Sequence, residues 1–266
     1  MKKYCIIVAG GSGQRMKSAI PKQFLLLDGK PLLMHTVERF YSFDSSIELI
    51  VVLPPEHHSL WDSLVGEYSF TVRHTVTAGG EERFHSVKSG LEAVRKNAPG
   101  AEHYKSVAQD AGPDSGQVAG SDAGSDAGPD SGKDNEPGDS LVAIHDGVRP
   151  LVSHDTIWRC YADAEEFGSA VPFLEPADSV RFLYGDDSRP VARHEVRLIQ
   201  TPQVFRSSLI MKAYDRDFDP AFTDDANVAE ASGMKIHLTH GNRENIKITT
   251  PEDLAVAHVL ARILRQ

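Results

Sequence analysis

Cysteine is nearly absent from this 266-residue chain, which has only Cys5 and Cys160, in no metal-binding or redox spacing. That excludes a disulfide framework and a cysteine-held zinc site. Cys5 falls in a predicted strand and Cys160 in a predicted helix, so both are expected as buried, reduced thiols. Long apolar runs are missing too, and none approaches the length of a membrane span. Met1-Lys2-Lys3 has the charge of a signal n-region, but the apolar run after it is short and ends in glycines. A cytoplasmic protein with no membrane partner is expected. Positive charge is in deficit, and a formal net charge of −10 argues against a general nucleic-acid binder. Several catalytic signatures are also absent. Twelve histidines include no H-E-x-x-H, and no nucleophile-elbow sequence occurs.

What remains is ordinary in bulk: 40% hydrophobic and 25% charged residues, with a length that suits one large α/β domain over 1–266. The negative charge is concentrated. Between Asp110 and Ser140 lie eight acids and one base, Lys133, which contribute −7 and leave −3 for the rest. Ala111-Gly112-Pro113-Asp114-Ser115-Gly116 recurs as 127–132, and Val118 is the one sizeable apolar side chain. Such a stretch cannot bury enough surface to offset its ordering entropy, so 110–140 is expected to be a disordered insertion within the domain.

Outside it, strand and helix patterns alternate. Tyr4–Val8 and Leu49–Leu53 are unbroken apolar runs that suit strands buried on both faces of a parallel sheet. Further strands are expected around Thr71–Thr77 and at Leu141–His145, Ala170–Phe173 and Val196–Ile199. Helices are expected from Pro31, from Glu82, after the capping Ser153, and after Thr250-Pro251-Glu252-Asp253. On the last of these Val256, Val259, Leu260, Ile263 and Leu264 form an apolar stripe. The pattern is a doubly wound, mostly parallel α/β sheet.

Ligands of such sheets bind beyond the carboxyl ends of the strands. Three polar, glycine-bearing loops fall there. After the first strand comes Ala9-Gly10-Gly11-Ser12-Gly13-Gln14-Arg15-Met16, with Pro21-Lys22-Gln23 close behind. Its glycines can turn backbone N–H groups toward phosphate oxygens, with Arg15 and Lys22 as nearby cations. The spacing is not that of a P-loop, and Met16 replaces the third glycine of a dinucleotide fingerprint. A polyanion site is the functional reading, with a nucleoside triphosphate as the natural ligand; a plain glycine turn is the bland one. The other loops are Gly79-Gly80-Glu81-Glu82-Arg83, followed by Ser86, and Asp146-Gly147-Val148-Arg149-Pro150. Asp146 could start a turn or hold a divalent cation or a hydroxyl. His145 beside it reads as structural. Thr223-Asp224-Asp225 reads as a helix cap or as part of a site, and Lys247 points away from the core between Ile246 and Ile248.

In order along the chain, these motifs together with Gln200-Thr201-Pro202-Gln203 and Asn245-Ile246-Lys247-Ile248-Thr249 resemble the 2-C-methyl-D-erythritol 4-phosphate cytidylyltransferases of non-mevalonate isoprenoid biosynthesis. The resemblance spans all but the acidic insertion. It implies a Rossmann-like nucleotidyltransferase fold with a protruding dimerisation arm at about 174–200, and a homodimer. It also implies transfer of a cytidylyl group from CTP to the sugar-alcohol phosphate, with pyrophosphate released and Mg²⁺ bridging the phosphates.

By the resemblance Arg15 and Lys22 stabilise charge on the α-phosphate, while Arg193 and Lys247 hold the attacking phosphate, Arg193 reaching the neighbouring subunit's site. Ala9, Gly10, Gly11, Gly13, Gly80, Glu81 and Ser86 would hold the nucleotide. Asp146, Arg149, Ser179, Thr201 and Thr223 would contact the sugar phosphate or triphosphate, with Asp146 the one candidate metal ligand. The family often has Pro-Ala-Ala-Gly where this chain has Val8-Ala9-Gly10-Gly11, and threonine where it has Ser179. The loop variant also suits ribitol 5-phosphate cytidylyltransferases. A non-catalytic CTP-binding scaffold is the alternative of another class.

Overall fold

The structure, a computed structural model, describes residues 1–10, 20–97 and 139–264. Gly11, Gly13, Arg15 and nearly all of the acidic insertion lie outside the described residues. The main sheet is built from β1 (Lys2–Val8), β2 (Glu48–Leu53), β3 (Thr75–Ala78), β4 (Ser140–Asp146), β5 (Ser169–Leu174), β8 (Leu198–Ile199), β9 (Gln203–Arg206) and β10 (Leu238–His240). Two further strands, β6 (Val180–Tyr184) and β7 (Asp187–Val191), form a separate hairpin. The sheet order is β8-β5-β9-β4-β1-β2-β3, with β10 also on β5. Strands β1, β2, β3 and β4 pair in parallel, and β9 is antiparallel to both β4 and β5.

Among the described residues, seven helices surround the sheet: α1 (Leu32–Phe43), α2 (His58–Glu67), α3 (Arg83–Asn97), α4 (His154–Phe167), α5 (Ser207–Tyr214), α6 (Asp225–Ala231) and α7 (Pro251–Ile263). The unbroken apolar runs are explained by this cover. Alternate side chains of one strand enter different cores. Cys5, Ile7, Leu49, Val51 and Ala143 meet α1, α2 and α4 through Val37, Trp61 and Ile157. Tyr4, Ile6, Ile50, Val52 and Val142 meet α3, α5 and α6 through Val87, Ile210 and Val228. The expected doubly wound sheet is present. Both cysteines are buried and unpaired.

Local signals set the helix ends. The Ser153 hydroxyl accepts from Thr156 N–H, and Thr250 and Asp253 form a reciprocal capping box. No helix among the described residues is long and apolar enough to cross a membrane.

Four expectations need correction. The strand placed around Thr71–Thr77 is limited to Thr75–Ala78, which pairs with β2 from Ile50 to Leu53. The strand expected at Val196–Ile199 keeps only its last two residues, paired with Phe173 and Leu174. On α7 most of the stripe faces outward: Val256, Val259 and Ile263 are 50%, 58% and 59% exposed, while Leu260 is partly buried and Ala257 and Ala261 are buried. Small alanines let the helix lie close to Leu27, Leu32 and Ile248. Finally, the insertion does not extend to 140. Ser140 starts β4, and Asp139 accepts from Ser207 Oγ (2.6 Å), Ser208 N (3.0 Å) and Ser208 Oγ (3.0 Å) at the start of α5.

Candidate active site

Backbone hydrogen bonds draw the three glycine-bearing loops together at the carboxyl ends of the central strands. Ala9 N–H donates to Val52 O (2.9 Å), Gly79 N–H to Leu53 O (2.7 Å) and Gly147 N–H to Val8 O (2.8 Å). At Gly147 a Cβ would stand 2.9 Å from the Ala9 Cβ, closer than a side chain permits. The glycine is what lets these two loops touch.

The buried Ser86 hydroxyl, one turn into α3, accepts from Gly80 N–H at 3.2 Å. A Cβ built on Gly79 would come within 3.0 Å of that oxygen, and one on Gly10 within 3.7 Å. Ser86 therefore stands between two glycine loops, with Gly10 on one side and Gly79 and Gly80 on the other, and Glu81 follows directly in the second loop. Lys22 opens a single 3-10 turn, Lys22–Phe24, which the buried Gln23 and Phe24 hold in place.

At the end of β4 lies a dense charge cluster. Arg149 Nε donates to Asp146 Oδ2 (3.0 Å), and Lys247 Nζ is 3.1 Å from the same oxygen. Arg83 Nε is 3.9 Å from Asp146 Oδ1. Burial alone would raise the Asp146 pKa. Lys247, then Arg83 and Arg149, outweigh it and hold the carboxyl well below the usual range.

Arg83 also grips Asp225 with two parallel 2.6 Å hydrogen bonds, and the Tyr214 hydroxyl donates to Asp225 Oδ1 at 2.7 Å. Burial works against the Arg83 charge, but Asp225 overrides it and pushes the pKa up. Three cations thus face two carboxylates, so the cluster keeps a net positive charge.

A hydrogen-bonded frame supports these groups. Arg149 Nη1 donates to Asn245 O (2.8 Å), Asn245 Nδ2 to Thr201 O (2.8 Å), and Gln200 Nε2 to Asn242 O (3.0 Å) and Asn245 O (3.2 Å). Thr201 is buried, and its hydroxyl accepts from Asp146 N (3.1 Å) and meets His145 Nδ1 (3.1 Å). Its geometry is that of a support behind Asp146. Asp224 caps α6 by accepting from Asn227 N, while Gln203 Nε2 donates to Asp224 Oδ2 (2.9 Å). Thr223, just before the cap, is exposed.

Ser179 and Arg193 flank the β6–β7 hairpin, and Arg193 Nη1 donates to Ala177 O at 3.0 Å. Among the described residues no hydrogen bond or ion pair joins either to the Asp146 cluster. The hairpin carries Phe182, Leu183 and Tyr184 largely exposed. The structure thus gathers Asp146, Arg149 and Lys247, brings Gly10, Gly79 and Gly80 around Ser86, and leaves Ser179 and Arg193 apart from the Asp146 cluster.

Two members of the cluster had no role assigned from sequence. Arg83 follows Gly80 in a motif read for its glycines, and Asp225 looked like a second capping acid. The signal available was a pair of adjacent acids, of which only one can cap.

For metal binding, Asp146 is a single carboxylate with both oxygens engaged by cations. No group of three metal-ligating side chains occurs among the described residues.

Comparison with known proteins shows the family of the chain. The family model described as IspD, 2-C-methyl-D-erythritol 4-phosphate cytidylyltransferase, matches residues 4–107 and 102–263. Proteins of that name from Bacteroides thetaiotaomicron and Phocaeicola vulgatus are 44% and 42% identical, over 98% of this chain and 100% of theirs. The crystal structure of that cytidylyltransferase from Thermus thermophilus superposes with a TM-score of 0.66 at 27% identity, covering 98% of this chain and 100% of its own. With a full-length match in sequence and in fold, the chain belongs to the 2-C-methyl-D-erythritol 4-phosphate cytidylyltransferase family and is a CTP-dependent nucleotidyltransferase.

Proposed function

We propose the following division of labour for the family's reaction in this chain. The phosphate of 2-C-methyl-D-erythritol 4-phosphate attacks the α-phosphorus of CTP; pyrophosphate leaves, and the cytidylyl group is joined to the sugar phosphate. Ala9, Gly10, Gly80, Glu81 and Ser86 hold the nucleotide, with Gly11 and Gly13 completing the loop. Arg15 and Lys22 stabilise the charge that builds on the α-phosphate. Phosphoryl chemistry of this kind rests on positioning and preorganised positive charge, with no covalent nucleophile required.

The observation that carries the acceptor side is the Lys247–Asp146–Arg149 cluster beside the glycine loops. Its excess positive charge suits a phosphate monoester, and Asp146 and Thr223 offer acceptors for sugar hydroxyls. Thr201 acts from behind, on Asp146. Clamping both reactants supplies the effective concentration that makes attack fast.

Magnesium, in this reading, is carried by the triphosphate oxygens. Asp146 is a poor direct ligand while three cations engage it, so no step is assigned to a protein-bound metal.

The arm extends the site across a homodimer. Exposed Phe182, Leu183 and Tyr184 supply an apolar surface for a second copy, and Arg193 beside them serves the neighbouring subunit's acceptor phosphate. The assignments fit a cytoplasmic enzyme working on two soluble, charged substrates.

The test is a paired assay of pyrophosphate release with CTP and either 2-C-methyl-D-erythritol 4-phosphate or ribitol 5-phosphate. The expected result is turnover strongly favouring the former. Faster release with ribitol 5-phosphate would overturn the acceptor assignment.

A further inference from the structure

His145 is fully buried at the penultimate position of β4, with its ring edge-on to Phe40 at 4.9 Å between centroids. Its Nε2 is 3.1 Å from Arg149 O. A carbonyl oxygen can only accept, so Nε2 carries a ring proton; complete burial keeps the ring neutral, and a neutral ring with its proton on Nε2 leaves Nδ1 bare. The bare Nδ1 then accepts from the Thr201 hydroxyl, 3.1 Å away. With its proton turned toward His145, Thr201 Oγ1 presents its lone pairs to Asp146 N–H at 3.1 Å. One neutral ring thus orders a relay that runs from Asp146 N–H to Thr201, from Thr201 to His145 Nδ1, and from His145 Nε2–H to Arg149 O.

We propose that His145, locked as the Nε2–H tautomer, is the positioning residue that fixes Asp146 and Arg149 through Thr201. This rests on the acceptor-site reading of those two residues. The relay ties the strand end that bears Asp146 to the turn that bears Arg149 and to the Gln200–Gln203 segment. A ring with a donor at one end and an acceptor at the other joins them at fixed spacing. A more flexible amide could offer the same groups but not the same rigidity. Because the relay needs both the donor and the bare nitrogen, neither a charged ring nor the other tautomer can serve. Small misplacement of clamping groups is costly in rate even where the fold survives.

The test combines ring ¹⁵N NMR of the full-length enzyme with kinetics. The His145 signals, assigned by their loss in His145→Gln, should show a protonated Nε2 and an unprotonated Nδ1. In Thr201→Val the Nδ1 signal should shift as its hydrogen bond is lost. The kcat/KM for 2-C-methyl-D-erythritol 4-phosphate should fall roughly tenfold to a hundredfold, and Thr201→Ser, which restores the hydroxyl, should recover most of it. An Nδ1-protonated ring in the wild type would overturn the proposal. So would a Thr201→Val enzyme that melts earlier yet keeps full kcat/KM while folded. Full activity in Asp146→Asn would overturn the acceptor-site reading itself, and the role of His145 with it, whatever the tautomer.

Discussion

Lys247 places its ammonium 3.1 Å from Asp146 Oδ2, joining a segment late in the chain to the end of a central strand, where Ile248 N–H also donates to Val148 O at 3.0 Å. The Lys247 side chain is still 41% exposed, so its charge is available to a ligand. Lys247→Met should lower kcat with 2-C-methyl-D-erythritol 4-phosphate by about 10²–10³-fold, the usual loss for one preorganised charge at a reacting group. Lys22→Ala should do the same from the nucleotide side. Lys22→Ala should unfold at nearly the wild-type urea concentration and Lys247→Met at a lower one, because the buried Asp146 carboxylate loses a cation; unchanged turnover in either folded protein would remove that residue from the chemistry.

The Arg83–Asp225 pair makes a prediction about stability. Asp225 is fully buried, and removing Arg83 strands its charge. Breaking a buried pair from one side typically costs about 3–5 kcal/mol. Arg83→Gln should therefore lower the urea midpoint sharply. A change within about 1 kcal/mol, on the scale of an exposed pair, would show that the pair is unimportant to folding.

If Arg193 serves the neighbouring subunit, two inactive variants should rescue each other. Mixing Arg193→Ala with Lys247→Ala, with subunit exchange, puts one intact site in each mixed dimer. Activity should return to roughly a quarter of wild type for random two-fold pairing. No recovery despite mixed dimers seen by native mass spectrometry would place Arg193 in its own subunit's site.

Deleting 110–138 should leave both turnover and melting temperature unchanged, since no motif is interrupted. Extending the deletion through Asp139 should lower stability by about 1–2 kcal/mol, the usual value of a helix-end cap. Circular dichroism melts of the two deletions decide this, and equal melts would mean that the Asp139 contacts are worth little.

Burial drives the His145 pKa down to about 4. An unfolded histidine ionises near pH ~6.5, so below that pH the unfolded chain takes up a proton that the folded one refuses. Stability is fully present above about pH 6.5 and declines as the pH falls toward 4, by an amount on the order of 3 kcal/mol. Urea titrations at pH 7 and pH 5 should show a steeper loss in the wild type than in His145→Gln. Parallel losses would mean that His145 titrates normally.

The central strands were legible because burial on both faces leaves no room for polar residues, as Ile6, Ile7, Ile50 and Val51 show. The caps Ser153 and Thr250 were legible because capping is local chemistry. So were the glycine loops, where backbone must approach backbone. Long-range partnerships were not. Nothing local says that Arg83 will turn toward Asp225, or that the Thr201 hydroxyl will be consumed behind Asp146. The apolar stripe of α7 misled because Ala257 and Ala261, not the larger Val256 and Val259, pack toward Leu27. Close packing there selected for smallness, and a hydrophobicity pattern weighs size the other way.

The order in which these parts leave the ribosome has a consequence of its own. Strand β1 finds its neighbour β2 early, but its other neighbour β4 comes only after the acidic segment. Domains are assembled from the N-terminal side as they are synthesised, at about 5–20 residues per second. Arg149 is therefore synthesised several seconds before Lys247. Over that interval the chain carries Asp146 and Arg149 but not Lys247, so the charge cluster can be completed only when nearly the whole chain has been made.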